Sequence, residues 1–231
     1  MNTKPVTRKK RRLAPRARIL LLLLALVAAA CLFFGTEVID RAVKRAQYVP
    51  LTAEEIDYAL LRGRDAETDE TRLQVAETAV TLVGKVHYFW GGKSSAIGED
   101  PRWGELREVT SEGSESTGTM KPYGLDCSGF VAWCFIQQGL SAAEVEQQVG
   151  MGTWTQWDRT KEIAWKDLRV GDFVFQNEYP TNKGNHIGIC IGFDDAGKPV
   201  FAHCAAGFDN VVVTRAGDVF HYARRPDFYG E

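Results

Sequence analysis

Apolar positions along the chain fall into one uninterrupted run, then helical spacing, then alternation. The run is Ile19 to Phe34, which follows a basic stretch. Beyond it, Thr52-Ala53-Glu54-Glu55 reads as a capping box before Ile56, Ala59 and Leu60, and predicts a helix inside a connector over residues 36–69. The short apolar face leaves two roles open for that helix: a spacer, or an ordinary element packed on the domain that follows. Thr71 to Val83 places Leu73, Ala76, Val80 and Val83 on one face, with Gly84 as a stop. Leu125-Asp126-Cys127 predicts an extended approach to a helix in which Phe130, Val131, Cys134 and Phe135 recur until Gly139. A further helix is expected over Ala142–Val149. From Asp167 onward the pattern changes to strands, at Asp172–Gln176, His186–Phe193, Val200–Ala205, Val211–Thr214 and Val219–Ala223, with a hairpin turn at Asp194–Gly197. Helices first and antiparallel strands after predict an α+β domain over residues 70–231, its helices packed on the sheet.

The N-terminus changes this picture by adding an export signal or an anchor. Eight basic residues precede Ile19 and no acid precedes Glu37, so residues 1–18 form a basic tail held on the cytoplasmic side. The apolar segment, residues 19–35, is short for a membrane span and long for a signal core. It lacks a clean small-x-small end, which favours a retained single-pass anchor over a removed signal and places the domain outside the cytoplasm. That exported part holds 20 basic against 30 acidic residues. Nucleic-acid binding is therefore excluded as an expectation. The tail could instead attract anionic lipid.

Candidate chemistry centres on Cys127. A thiol at the start of a helix meets unpaired N–H groups and the positive end of the macrodipole, which lower its pKa and can bind an oxyanion. An acid and a hydroxyl flank it, Asp126 and Ser128, and these would need partners if Cys127 were a plain core residue. A base is available in His186, which opens a strand with Ile187, Ile189 and Ile191 on one face and Gly188, Cys190 and Gly192 beside the histidine on the other. The small residues leave room for the Cys127 helix on the histidine face. The return strand brings His203 next to His186, so that one imidazole can take the thiol proton while the other orients it. An ion pair of Cys127 and His186 would give a rate that rises in acid and falls at higher pH. His87 and His221 are expected to be surface or structural. Zinc is disfavoured, since His186 and Cys190 lie about 13 Å apart on a strand and no Cys-x-x-Cys pair occurs. No disulfide, no cofactor and no partner protomer are expected.

Five segments in order carry a resemblance: Tyr88-Phe89-Trp90-Gly91-Gly92, Asp126-Cys127-Ser128-Gly129-Phe130, Leu168 to Phe175 around Val170-Gly171-Asp172, His186-Ile187-Gly188-Ile189, and Ala202-His203. Over roughly residues 70–226 the chain resembles the NlpC-type cysteine peptidases, papain-like enzymes that cut peptidoglycan stem peptides. The resemblance implies Cys127 as nucleophile, His186 as base and His203 as the polar third member. It also implies that Tyr88 reaches over the nucleophile, and that Asp126 and Ser128 bind the free amino end of a stem peptide. The bond implied is that between γ-D-glutamate and the following diamino acid. An N-acetylmuramoyl-L-alanine amidase, another acyltransferase on the same scaffold, and a non-catalytic wall-binding module are the alternatives. The chain departs from the family in an insertion of about thirty residues, Lys93 to Gly124, whose one central aromatic, Trp103, is expected to anchor it as a wall of the cleft.

Overall fold

The computed structural model describes residues 49–180, 184–215 and 219–230, together with Gly35, Val38, Ile39, Ala42 and Val43. The predicted basic tail and all of the predicted apolar segment except Gly35 lie outside the described residues. Among the described residues no helix is long and apolar enough to cross a membrane.

Helix α1 spans Ala53–Ala66 and begins at the predicted capping box: the Glu55 N–H donates to Thr52 Oγ1, and the Thr52 N–H to Glu55 Oε2 at 2.8 Å. Helix α2 spans Glu70–Val80 and buries Arg72, Val75, Ala76 and Ala79. The predicted stripe over Leu73, Ala76, Val80 and Val83 is thus shifted by one residue. The cause is Arg72, which hydropathy places outside and an ion pair brings in. Its Nη1 lies 2.9 Å from Asp172 Oδ1 with both side chains fully buried. Arg225 donates to the same carboxylate, the Arg169 N–H caps its other oxygen at 2.8 Å, and the Tyr229 ring lies 3.8 Å from the Arg72 guanidinium. A buried carboxylate is tolerable only when paired and hydrogen-bonded in this way. The Val170-Gly171-Asp172 segment is therefore a structural joint between helix layer and sheet.

The insertion holds a two-stranded antiparallel hairpin, β1 (Leu106–Glu108) and β2 (Met120–Pro122). Then come α3 (Cys127–Ile136), α4 (Ala142–Gln148) and α5 (Thr153–Asp158), followed by β3 (Thr160–Glu162), β4 (Phe173–Phe175), β5 (Ile187–Phe193), β6 (Pro199–Ala205), β7 (Asn210–Arg215) and β8 (Tyr222–Pro226). These last six form one sheet in the order β3-β8-β4-β5-β6-β7, each neighbouring pair antiparallel. The α+β architecture is thus present. Sequence patterning locates β4 to β7 within a residue or two. It places the last strand three residues early, because Phe220 turns inward as a core residue before pairing begins. Neither β3 nor the insertion hairpin is visible in the patterning, since their residues are largely polar and exposed.

The main core lies between the helices and one sheet face: Phe130, Val131, Cys134 and Phe135 meet Phe173, Ile187, Ile189, Ile191, Val200 and Ala202. This corrects the expectation that the Cys127 helix covers the small-residue face. A row of three isoleucines offers more apolar area than Gly188 and Cys190, so the helices cover the isoleucines. The histidine face is closed by a smaller cluster that includes Val174, Cys190, Phe201 and Phe220. Helix α1 also packs on the main face, with Ile56 and Ala59 buried. A Cβ at Gly63 would stand 2.9 Å from the Ile191 carbonyl oxygen, so glycine lets that helix seat on β5. Of the two roles left open for it, α1 has the packed one.

Candidate active site

Cys127 is the first residue of α3, and Asp126 is its N-cap, accepting the Gly129 N–H on Oδ1 at 2.6 Å. Gly129 packs against the Gly91-Gly92 backbone: a Cβ there would fall 2.1 Å from the Gly92 carbonyl oxygen. Gly92 in turn touches Gly124, where its own Cβ would meet the Gly124 carbonyl oxygen at 2.2 Å. These contacts fix the start of the helix against the segment that carries Tyr88. Tyr88 forms an isolated bridge with Leu125, and its N–H donates to Asp209 Oδ1 at 3.0 Å. Its side chain is half-buried against the main core.

The Cys127 sulfur lies 3.9 Å from the Asn185 carbonyl oxygen, one residue before His186. The Lys93 charge, the Ile187 N–H at the start of β5 and the Ser128 N–H in the first turn of α3 favour its thiolate. Burial and the neighbouring Asp126 charge outweigh them and push the thiol up to about 12. The expected lowering is thereby reversed: with the residue 4 % exposed, desolvation of the anion dominates the dipole.

His186 and His203 meet as anticipated. The β5–β6 ladder pairs Ile189 with Ala202, and carrying that register one step further puts His203 across from Gly188 and diagonal to His186. His186 Nε2 lies 2.9 Å from His203 Nδ1, and His203 Nε2 lies 3.0 Å from Thr214 Oγ1. Phe220 stacks on the His186 ring at 5.6 Å and meets the His203 ring edge-on at 5.4 Å. Burial lowers His186 to about 4 against a pull upward from Asp126, and holds His203 well below the usual imidazole range. Burial thus favours the neutral forms of the thiol and of both imidazoles, the direction opposite to the one an ion pair needs. If His186 Nε2 carries the proton in its contact with His203, Nδ1 is the basic nitrogen of that ring. That assignment makes His203 Nδ1 an acceptor and lets His203 Nε2–H donate to Thr214.

Asp126 and Ser128 have a partner that sequence reasoning does not assign. Lys93 Nζ lies 2.6 and 2.7 Å from the two Asp126 carboxylate oxygens and 2.8 Å from Ser128 Oγ. Ser128 Oγ also donates to Asp126 Oδ1 at 2.8 Å, and the Gly91 N–H reaches Asp126 Oδ2 at 3.1 Å. Lys93 opens the insertion, and its carbonyl accepts the Tyr123 hydroxyl at 2.6 Å. The insertion folds back as expected of a segment anchored by Trp103, whose ring lies 5.9 Å from that of Trp133 on α3. Gly98 and Ala96 exchange hydrogen bonds with Gln137, also at the end of that helix region. Near the helix start, Trp90 Nε1 donates to the Glu112 carbonyl at 2.9 Å.

Sequence reasoning also misses Thr214, Phe220 and Gln156. Thr214 and Phe220 look like ordinary strand residues until the register is known. Gln156, fully buried on α5, donates to the Ser128 carbonyl at 2.9 Å and braces the first turn of α3. The other histidines are peripheral: His87 pairs with Asp209 at 2.9 Å, and His221 extends the sheet through its backbone N–H to Phe175. Cys127, Cys134, Cys190 and Cys204 are free thiols.

The sequence profile of the NlpC/P60 family matches residues 84–213. Among characterised proteins, the chain is 31% identical over 115 residues to the peptidoglycan DL-endopeptidase CwlO of Bacillus licheniformis, covering 50% of this chain and 19% of that protein. It is 33% identical over 76 residues to the bifunctional muramidase/DL-endopeptidase CwlT of Bacillus subtilis, covering 32% of this chain and 21% of that protein. The chain thus spans about a fifth of the length of each of these relatives. Among solved structures, the peptidoglycan hydrolase RipB of Mycobacterium tuberculosis aligns at a TM-score of 0.45 and 17% identity, over 71% of this chain and 69% of that one.

Proposed function

Because the chain belongs to the NlpC/P60 family, we propose that it is a cysteine peptidase that hydrolyses peptidoglycan stem peptides, at the bond between γ-D-glutamate and the following diamino acid. Two observations support this reading: the hydrogen-bond chain His186–His203–Thr214, and the buried Cys127 sulfur 3.9 Å from the carbonyl oxygen of Asn185, the residue before His186. Such a chain serves a base that must gain and lose a proton during acyl transfer. The DL-endopeptidase relatives favour a cut inside the stem.

In the proposed reaction His186 Nδ1 takes the Cys127 proton as the sulfur attacks the scissile carbonyl. The thiolate never accumulates, because burial disfavours it. The Cys127 N–H, at the start of α3, faces the developing oxyanion. The imidazolium formed keeps its Nε2 proton on His203 and delivers the other to the leaving amine. Water, activated by the same nitrogen, then cleaves the thioester and restores the thiol. The exported basic-apolar N-terminus read from the sequence would place this chemistry outside the cytoplasm, at the wall.

Digestion of defined stem peptides by the full chain, with product masses, tests the reading. The wild type should cut within the stem, and Cys127→Ala should lose at least ~10³-fold in rate while retaining its fold. Release of an intact stem peptide from glycan would identify an amidase. Binding without any cut would identify a wall-binding module.

A further inference from the structure

The charged group beside the nucleophile is already complete within the chain. Asp126 and Ser128 form a small acceptor site at the first turn of α3, and the ligand in it is an ammonium: Lys93 Nζ lies 2.6 and 2.7 Å from the two Asp126 carboxylate oxygens and 2.8 Å from Ser128 Oγ. Asp126 is buried and Ser128 is 4 % exposed, whereas the Lys93 side chain keeps 29% of its surface, so the ammonium plugs the site from the solvent side. The plug is held from behind, since the Lys93 carbonyl accepts the Tyr123 hydroxyl and the Tyr123 ring packs edge-on against Phe89 at 5.0 Å. A substrate ammonium entering here would face a like charge and would have to displace the Lys93 ammonium from both the Asp126 carboxylate and the Ser128 hydroxyl.

We infer that Lys93 is a specificity determinant that makes this enzyme act on stem peptides whose amino end is acylated, as it is while the peptide remains attached to glycan, and discriminate against peptides with a free amino end. The inference rests on the peptidase reading and sharpens its substrate class. An acylated amino end carries no charge and needs no carboxylate. It leaves the Lys93–Asp126–Ser128 group intact, and the group then serves as a neutral wall. Discrimination arises mainly through the repulsive element, so it should appear in KM more than in kcat.

The test uses two stem peptides of one sequence, with the amino terminus free or N-acetylated. For the wild type, kcat/KM should favour the acetylated peptide at least tenfold, a measurement that needs no variant. Lys93→Met should shift that ratio at least tenfold toward the free-amino peptide, mostly through KM, while Lys93→Arg keeps the wild-type preference. The double variant Lys93→Met/Asp126→Asn, with no carboxylate to receive an ammonium, should lose the gain. Circular dichroism checks the fold of each; the Gly129 and Gly91 N–H groups and the Ser128 hydroxyl still satisfy Asp126 in Lys93→Met. A wild type that cuts the free-amino peptide as well as the acetylated one, or a Lys93→Met ratio equal to wild type, overturns the inference and leaves the peptidase reading standing. Neither peptide being cut by wild type nor bound by Cys127→Ala overturns both.

Discussion

Cys127 stands between two polar groups built on opposite rules. On one side, His186, His203 and Thr214 are uncharged at neutral pH, enclosed with Phe220, and joined by hydrogen bonds whose direction follows from one proton. On the other, buried Asp126 is ion-paired with the partly exposed Lys93, with Ser128 as a shared neighbour. In the proposed reaction the neutral side passes a proton only as the sulfur attacks, because burial disfavours the charged forms of both thiol and imidazole. The charged side can pass nothing, and its energy goes into deciding what fits. In the proposed reading, chemistry and substrate choice fall largely on different residues, with Asp126, the cap of α3, common to both.

The largest effect should come from the neutral side. His186→Ala should lower kcat/KM by about 10²–10⁴-fold, the usual worth of a positioned base. His203→Ala should cost less, about 1.5–3 kcal/mol or roughly 10–150-fold, because it removes one hydrogen bond to a charged imidazolium. Steady-state kinetics on one acylated peptide separates them, and equal losses in two folded variants would reverse the assigned roles.

The neutral side also sets the pH response. His186 is held at about 4 in the folded chain against an ordinary 6.5. The unfolded chain therefore binds more protons between those values, and stability rises with pH across that window. Acidifying from pH 7 to 4 should cost at most about 3 kcal/mol from His186, with buried His203 acting in the same direction. Denaturant midpoints measured from pH 7 to 4 would show this, and His186→Phe should flatten the curve. The rate should be flat through neutral pH, with its acid limb near 4. An acid limb near 7 would mean that the imidazole is not held neutral. A mild thiol electrophile should label Cys127 slowly even in an active enzyme, so slow labelling does not mark a binding module.

On the charged side, Trp103→Ala should cost about 2 kcal/mol, less than a fully buried tryptophan, by releasing the insertion from Trp133. It should also relax the preference between acylated and free-amino peptides, since the insertion holds Lys93. Shortening Ser94–Thr119 to a few glycines should broaden the peptides cut while sparing the thiol chemistry. An unchanged preference in both variants would show the insertion to be passive. The smallest effect belongs to Thr214→Val, about 1 kcal/mol or fivefold in rate, from one neutral hydrogen bond.

Much of the neutral side is legible in the amino-acid sequence. Cys127 opening an apolar helix, and His186 and His203 on strands joined by an Asp-Gly turn, are properties of spacing and period. Thr214 and Phe220 are not legible, because their roles depend on strand register and on Phe220 packing inward ahead of β8. The face of the sheet is misjudged when room beside Gly188 is weighed above the isoleucine row. Arg72 shifts the α2 stripe, since hydropathy cannot foresee a buried ion pair with a residue 100 positions away. The thiol's pKa is misread because helix position is visible in a sequence and burial of the sulfur is not. Lys93 escapes notice as one charge in a polar insertion, where only the fold reveals that its stem bends back to Asp126.

The contact of Gly92 with Gly124 gives the insertion both its doorposts in one place. Chain leaves and returns at touching points, so the cost of closing the excursion grows only logarithmically with its length. What hangs between the posts can be resized at its far end, provided that the contacts of Trp103 with Trp133 and of Ala96 and Gly98 with Gln137 are kept. Lys93, though, is the first residue through the door. A single recombination between those glycines would install a new wall and evict the plug together, so a lineage could change diet in one step while inheriting its catalytic apparatus untouched.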